Sequence, residues 1–164
     1  MTKELLTLSS ARKEALRFLQ KQDFMSLATV DEKSRPHVAT LIFFVDEDFN
    51  IYWISHKNTK KTDNIETSNL VAGDVHDKEP AWYVQFHGHV SEASEHESKN
   101  IIEEFAQRTV EFKNFWPPIF MQEDPQYFVY KITPTWLRLV DLSGMTISAD
   151  PAPIYDIISP AQDA

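Results

Sequence analysis

PHVATLIFFVDEDFNIYWISHKNTKKTDNIETSN, residues 36–69, decides the fold. After Pro36, the stretch HVATLIFFV is rich in β-branched and aromatic side chains, the composition of a buried strand. The acidic turn Asp46-Glu47-Asp48 follows, and IYWIS, residues 51–55, runs back, so the pair reads as a hairpin. His56-Lys57-Asn58-Thr59-Lys60-Lys61-Thr62 comes directly after the second strand. Hydroxyls, two adjacent ammoniums and the start of a short polar helix then share one strand end. Free backbone N–H groups, the helix dipole and the lysines all favour a phosphate there. A solvated loop is the plain alternative. Lys57, Lys60 and Lys61 stand out because the chain carries 25 acidic against 16 basic residues, a net charge of −9.

Upstream, SSARKEALRFLQKQ, residues 9–22, has the apolar spacing of an amphipathic helix. Ser9 or Ser10 is its expected cap, and Ala11, Ala15, Leu16, Phe18 and Leu19 form its apolar face. FMSLATV, residues 24–30, reads as a strand turned by Asp31-Glu32-Lys33-Ser34-Arg35 into the hairpin. Downstream, Asn69 is expected to end the short helix in a left-handed conformation. Residues 70–75 and 82–90 are two further strands. In the second, Trp82, Val84, Phe86 and Val90 point one way and Tyr83, Gln85, His87 and His89 the other. That second set is too polar for a core and suits a flank covered by a ligand or a second subunit. Ser94-Glu95-His96-Glu97 is a capping box opening a helix to about residue 108, with Ile101, Ile102 and Phe105 buried. The aromatic stretch 112–121 cannot be helical through Pro117-Pro118. Residues 127–132 and 135–142 read as two strands split at Pro134, and a tail with Pro151, Pro153 and Pro160 follows.

A chain of 164 residues is one domain with room for a hydrophobic core. Residues 1–142 make up that domain and 143–164 the proline-containing C-terminal tail. Cysteine is absent, which removes disulfides, thiolate metal sites and a cysteine nucleophile, and fits a cytoplasmic location. No apolar run reaches membrane-spanning length. The net negative charge argues against nucleic acid as a partner. Only three glycines, Gly73, Gly88 and Gly144, are present, too far apart for a dinucleotide-binding turn or a P-loop. Six or seven short strands with a few helices between them describe a small, mostly antiparallel barrel.

FMSLATVDEKSRPHVATLIFFV, IYWISHKNTKKTDNI and VQFHGHVSEAS, in that order and spacing, resemble the split-barrel flavoproteins related to pyridoxamine 5′-phosphate oxidase. The resemblance covers roughly residues 10–108, with weaker support over 126–142. It implies a mostly β fold with flanking helices: a split β-barrel of six to seven antiparallel strands, Greek-key-like in order, and homodimeric. It also implies FMN bound between two subunits, oxidoreductase chemistry and a small-molecule substrate. Thr59, Lys60 and Lys61 fall on the segment that holds the flavin phosphate, and Ser55 on a hydroxyl position facing the same side. Thr40, Leu41 and Ile42 match the strand edging the flavin ring. Tyr83 or Gln85 lies near a ring contact, and Arg138 could supply charge near flavin or substrate.

The departures are specific. The oxidase proper has an arginine where this chain has Ala39 and a lysine near Phe44; its strand glutamine falls on Tyr83. No substrate-gripping Trp-and-Arg signature follows Trp136, and Lys60 replaces an arginine, keeping the charge but losing the bidentate fork. The fold and FMN therefore follow from the resemblance more readily than a vitamin B6 substrate. The alternative is a non-catalytic dimeric barrel holding flavin or haem, as a sensor or store. His87 and His89, with His76 and Asp74, lack the fixed third ligand of a metal site. Ser26, Ser55 and Ser68 stand in no nucleophile-elbow context.

Overall fold

The computed structural model describes residues 5–79, 81–109, 126–143 and 152–159. The elements in order are α1 (Leu8–Lys21), β1 (Phe24–Val30), β2 (Pro36–Ile42), β3 (Phe44–Val45), β4 (Ile51–His56), α2 (Lys60–Thr67), β5 (Leu70–Asp77), β6 (Trp82–Glu92), α3 (Glu95–Thr109), β7 (Tyr127–Asp141) and β8 (Ile154–Ile158). The aromatic stretch 112–121 lies outside the described residues. No helix among the described residues is long and apolar enough to cross a membrane.

All the strand pairings are antiparallel and follow the order β2-β1-β5-β6-β7-β4-β3, with β8 added to β7. The two ends of that path, β2 and β3, are consecutive pieces of chain separated only by Phe43. The expected single strand over residues 37–45 is therefore broken: its first part pairs with β1 and its last two residues with β4. Changing partners there closes the sheet into a barrel and leaves Phe43 fully buried at the seam. β5 returns to lie beside β1, giving the spatial order β5-β1-β2/β3-β4, which is the Greek key arrangement.

The main core fills the barrel: Met25, Leu27, Ile51, Trp53, Val84, Phe86, Ile132, Leu137 and Leu139 are all at most 1% exposed. Each contributes roughly 1.5–3 kcal/mol of burial. Helix α1 covers one end with Ala11, Ala15, Phe18 and Leu19. Its cap is Thr7, whose Oγ1 accepts the Ser10 N–H at 3.2 Å, and not Ser9 or Ser10, because Leu8 already belongs to the helix. Helix α3 opens with the expected capping box, Ser94 N–H to Glu97 Oε2 at 2.9 Å and Glu97 N–H to Ser94 Oγ at 3.3 Å. Ile101 and Phe105 pack on Phe44, Tyr52 and Val129 as a second cluster. Glu97 Oε1 accepts from Lys131 Nζ at 2.7 Å and from the Tyr52 hydroxyl at 3.1 Å. The Lys131 and Ser94 hydrogen bonds hold the Glu97 carboxyl down to about 2.

Three other expectations change. Pro134 does not split the last strand, because β7 runs through it, opposite Gly88, with a register shift between His87 and Gly88. A Cβ on Gly88 would stand 2.3 Å from the Thr133 carbonyl oxygen, so the absent side chain is what admits the proline turn of chain. Helix α2 ends at an extended Ser68, and Asn69 does not adopt the left-handed conformation. β8, from the proline-containing tail, adds to the barrel, and the described strands number eight, not six or seven.

Candidate functional site

Helix α2 begins at the end of β4, where the core strand runs out at Ser55. Thr59 is its extended N-cap, and the Thr59 N–H donates to Thr62 Oγ1 at 2.9 Å. The hydroxyls of Thr59 and Thr62 lie 3.0 Å apart, and that of buried Thr62 also lies against the Lys57 carbonyl. Lys61 folds back so that Nζ donates to Thr59 Oγ1 at 3.2 Å. Its ammonium is partly buried, and burial alone pulls its pKa below the ordinary lysine value. No carboxylate pairs with it among the described residues. The backbone N–H groups of Lys60 and Lys61, in the first turn, have no intrahelical acceptor. Three residues thus present hydroxyl, ammonium and amide donors together, around a cation that the fold does not neutralise.

The β1–β2 turn docks onto this helix start. Asp31, 8% exposed, accepts the Lys33 and Arg35 N–H groups on Oδ1 at 2.9 and 3.0 Å. On Oδ2 it accepts Arg35 Nε at 2.8 Å and Nη2 at 2.7 Å. Lys60 Nζ stands 3.6 Å from the same oxygen. The Arg35 guanidinium, with the backbone amides, holds the Asp31 carboxyl far below the usual carboxylate range. A buried hydrogen bond from Asn64 Nδ2 to Thr29 Oγ1 at 2.9 Å fixes α2 against β1. Neither Asp31 nor Arg35 stands out in the sequence as a site residue. The visible trace was a turn, DEKSR, whose aspartate meets Lys60 only after folding.

Apart from Ser55, which lies near the end of β4 just before α2, the other expected residues fall into a second group. Thr40, Leu41 and Ile42 lie on β2, paired with Ser26, Met25 and Phe24. The register extends Thr40 into a row across the outer face: Ser26, Asp74, Gln85, Arg138 and Asp156. Tyr83 stands on the same face and stacks on His76, their rings 5.8 Å apart, while His76 Nδ1 meets Asp74 Oδ2 at 2.8 Å. Arg138 is committed to Asp156 through Nε at 2.7 Å and Nη2 at 3.2 Å, and lies over the Trp136 ring at 5.0 Å. Ser55 is buried, with its hydroxyl donating to the His56 carbonyl at 3.2 Å. Along β1 the row is five residues from Asp31, roughly 17 Å at strand rise. The two groups are neighbours along one strand, not one cluster.

His87 stacks on Trp136 at 5.3 Å and its Nδ1 meets the Thr135 hydroxyl at 3.1 Å. No group of three or more potential metal ligands comes together among the described residues. A cleft of about 180 Å³ opens beside α2, with Lys57, Thr62, Glu66, Glu92 and Tyr130 in its lining. Burial and those two carboxylates push the Tyr130 hydroxyl up to about 12.

Comparison with known proteins identifies the fold and the family. Among solved structures, the chain is similar to General Stress Protein 26 from Bacillus anthracis str. Sterne: 25% identity over 79% of this chain and 92% of that one, TM-score 0.63. It has the fold of a pyridoxamine 5′-phosphate oxidase-related, FMN binding protein from Nostoc punctiforme PCC 73102, at 16% identity over 93% and 91% of the two chains, TM-score 0.61. It also has the fold of HutZ, the heme storage protein from Vibrio cholerae, at 18% identity over 74% and 88%, TM-score 0.61. No curated protein matches the chain. Residues 11–141 match the pyridoxamine 5′-phosphate oxidase family over most of the barrel, and the protein belongs to that family.

Proposed function

We propose that this protein is an FMN-binding flavoprotein, a homodimer that works as an FMN-dependent oxidoreductase on a small-molecule substrate. The observation that carries the reading is Lys61: a partly buried ammonium, bonded to the Thr59 hydroxyl, with no carboxylate partner among the described residues. Burying a charge without a counter-charge costs stability. A chain of net charge −9 that leaves such a cation open beside helix N–H groups has a place for an anion.

The donor set fits the phosphate of FMN. Lys60 and Lys61 supply charge, Thr59 a hydroxyl and α2 its backbone amides, while Thr40, Leu41 and Ile42 on β2, with Tyr83 or Gln85 on β6, are the residues that would edge the ring. FMN supplies the redox chemistry when bound; this chain's residues bind it, orient it and exclude water. Arg138 answers to Asp156 first, so any charge it lends the site is largely cancelled. A second copy is supported by the outer face, where Phe24, Val30, Val38, Leu70, Tyr83 and Ile154 are all 36–63% exposed on neighbouring strands.

The visible absorption spectrum of the purified protein tests the reading. Flavin bands are expected, either as isolated or after incubation with FMN. Haem absorption, or a colourless protein that takes up no FMN, would overturn it. Bleaching of the flavin bands by NAD(P)H marks an enzyme, whereas a flavin that stays oxidised marks a carrier.

A further inference from the structure

We propose that Arg35, held by Asp31, is a third cation of the phosphate site, and that Asp31 is the positioning residue that brings Arg35 and Lys60 to one place. This rests on the flavoprotein reading above and deepens it. Asp31 Oδ2 gathers both cations: Arg35 through Nε and Nη2, at 2.8 and 2.7 Å, and Lys60 at 3.6 Å. Both side chains stay open to solvent on their other sides, Arg35 at 69% and Lys60 at 51% exposed. Arg35, Lys60 and Lys61 carry three positive charges and Asp31 one negative, leaving two. Asp63, also in the first turn of α2, is exposed and pairs with none of the three. A phosphate monoester carries close to two negative charges at neutral pH, so the cluster matches a terminal phosphate.

The molecule itself shows that the turn does not need an arginine. The β3–β4 turn uses the same backbone, with Asp46 Oδ1 accepting the Asp48 and Asn50 N–H groups at 3.0 and 2.8 Å. There the fifth residue is Asn50, and its neutral amide reaches Asp46 Oδ2 at 2.8 Å. Asparagine can thus close a turn of this geometry. The turn geometry therefore does not require the charge at Arg35, and that charge is held on the same carboxylate oxygen that Lys60 approaches.

The test is Arg35→Asn, a substitution with a working precedent fifteen residues away, titrated with FMN and with riboflavin, which lacks the phosphate. Circular dichroism and the urea midpoint of each variant establish that the fold is kept. We expect FMN to bind roughly tenfold or more weakly, as for loss of one charge-assisted contact, and riboflavin to bind within about twofold of wild type. Arg35→Lys restores part of the FMN affinity. Equal weakening for both ligands would show a structural role and overturn the proposal. Unchanged FMN binding would also overturn it. In that case Lys60→Ala/Lys61→Ala tells the two failures apart. If the double variant loses FMN, only Arg35 is excluded; if it keeps FMN too, the flavoprotein site itself is wrong.

Discussion

The β1–β2 and β3–β4 turns share one plan and differ in what they gather. In each, an aspartate N–H bonds to the carbonyl of the fifth residue at 3.1 Å, and its own carbonyl accepts the N–H of the fourth, at 2.9 Å from Ser34 and 3.0 Å from Phe49. In each, one carboxylate oxygen caps the N–H groups of the third and fifth residues. In each, the fourth residue has a positive φ, 59° at Ser34 and 67° at Phe49. The second carboxylate oxygen is where they part. Asp46 takes the Asn50 amide and the Tyr52 hydroxyl, at 2.8 and 3.0 Å, and locks β4 into the core. Asp31 takes a guanidinium and faces an ammonium, at the open N-terminus of a helix. The same backbone device thus serves packing at one end of the barrel and collects positive charge at the other.

Glycine at the fourth position separates the two roles, because it relieves the same backbone strain in both turns. Phe49→Gly should give the largest effect. The Phe49 ring is fully buried, with Arg12 Cζ 4.6 Å from its centroid. Its loss lowers the unfolding free energy by about 3 kcal/mol in urea titration, even after the relief of strain. FMN affinity of the folded fraction stays at the wild-type value. A loss below about 1 kcal/mol would mean that the β3–β4 turn is not a packing turn. Ser34→Gly should give the smallest effect, and of opposite sign. Ser34 is exposed and gives up no packing, so the variant gains about 0.5–1 kcal/mol. Destabilisation there would mean that the serine side chain has work in the turn beyond its backbone.

Those turns also show what one sequence can and cannot reveal. The strand residues 82–90 were legible because their two faces differ in chemistry: Val84, Phe86 and Val90 are buried and Tyr83, Gln85, His87 and His89 exposed. The capping box at Ser94 and Glu97 was legible because it is local. The break at Phe43 was not, since the strand pattern runs through it and only barrel closure demands a change of partner. Pro134 was misleading for a similar reason. A proline ends a strand unless the neighbour makes room, and the neighbour is Gly88, nearly fifty residues earlier. The strand Ile154–Ile158 is short, lies among prolines, and is fixed by pairing with β7. In the site, the donors Thr59, Lys60 and Lys61 were readable as adjacent residues. Arg35 and Asp31 were not, because Asp31, which holds Arg35, comes within 3.6 Å of Lys60 only across the fold. Arg138 was readable as a cation, but its Asp156 partner was hidden in the tail.

The central claim is that the cationic start of α2 holds the cofactor phosphate. It is tested most directly by FMN retention in Lys60→Ala/Lys61→Ala, purified beside the wild type and checked for fold by circular dichroism. The account predicts a folded protein whose FMN affinity falls on the order of a hundredfold, two charge-assisted contacts being removed. A folded double variant that keeps FMN at wild-type stoichiometry and affinity would contradict it.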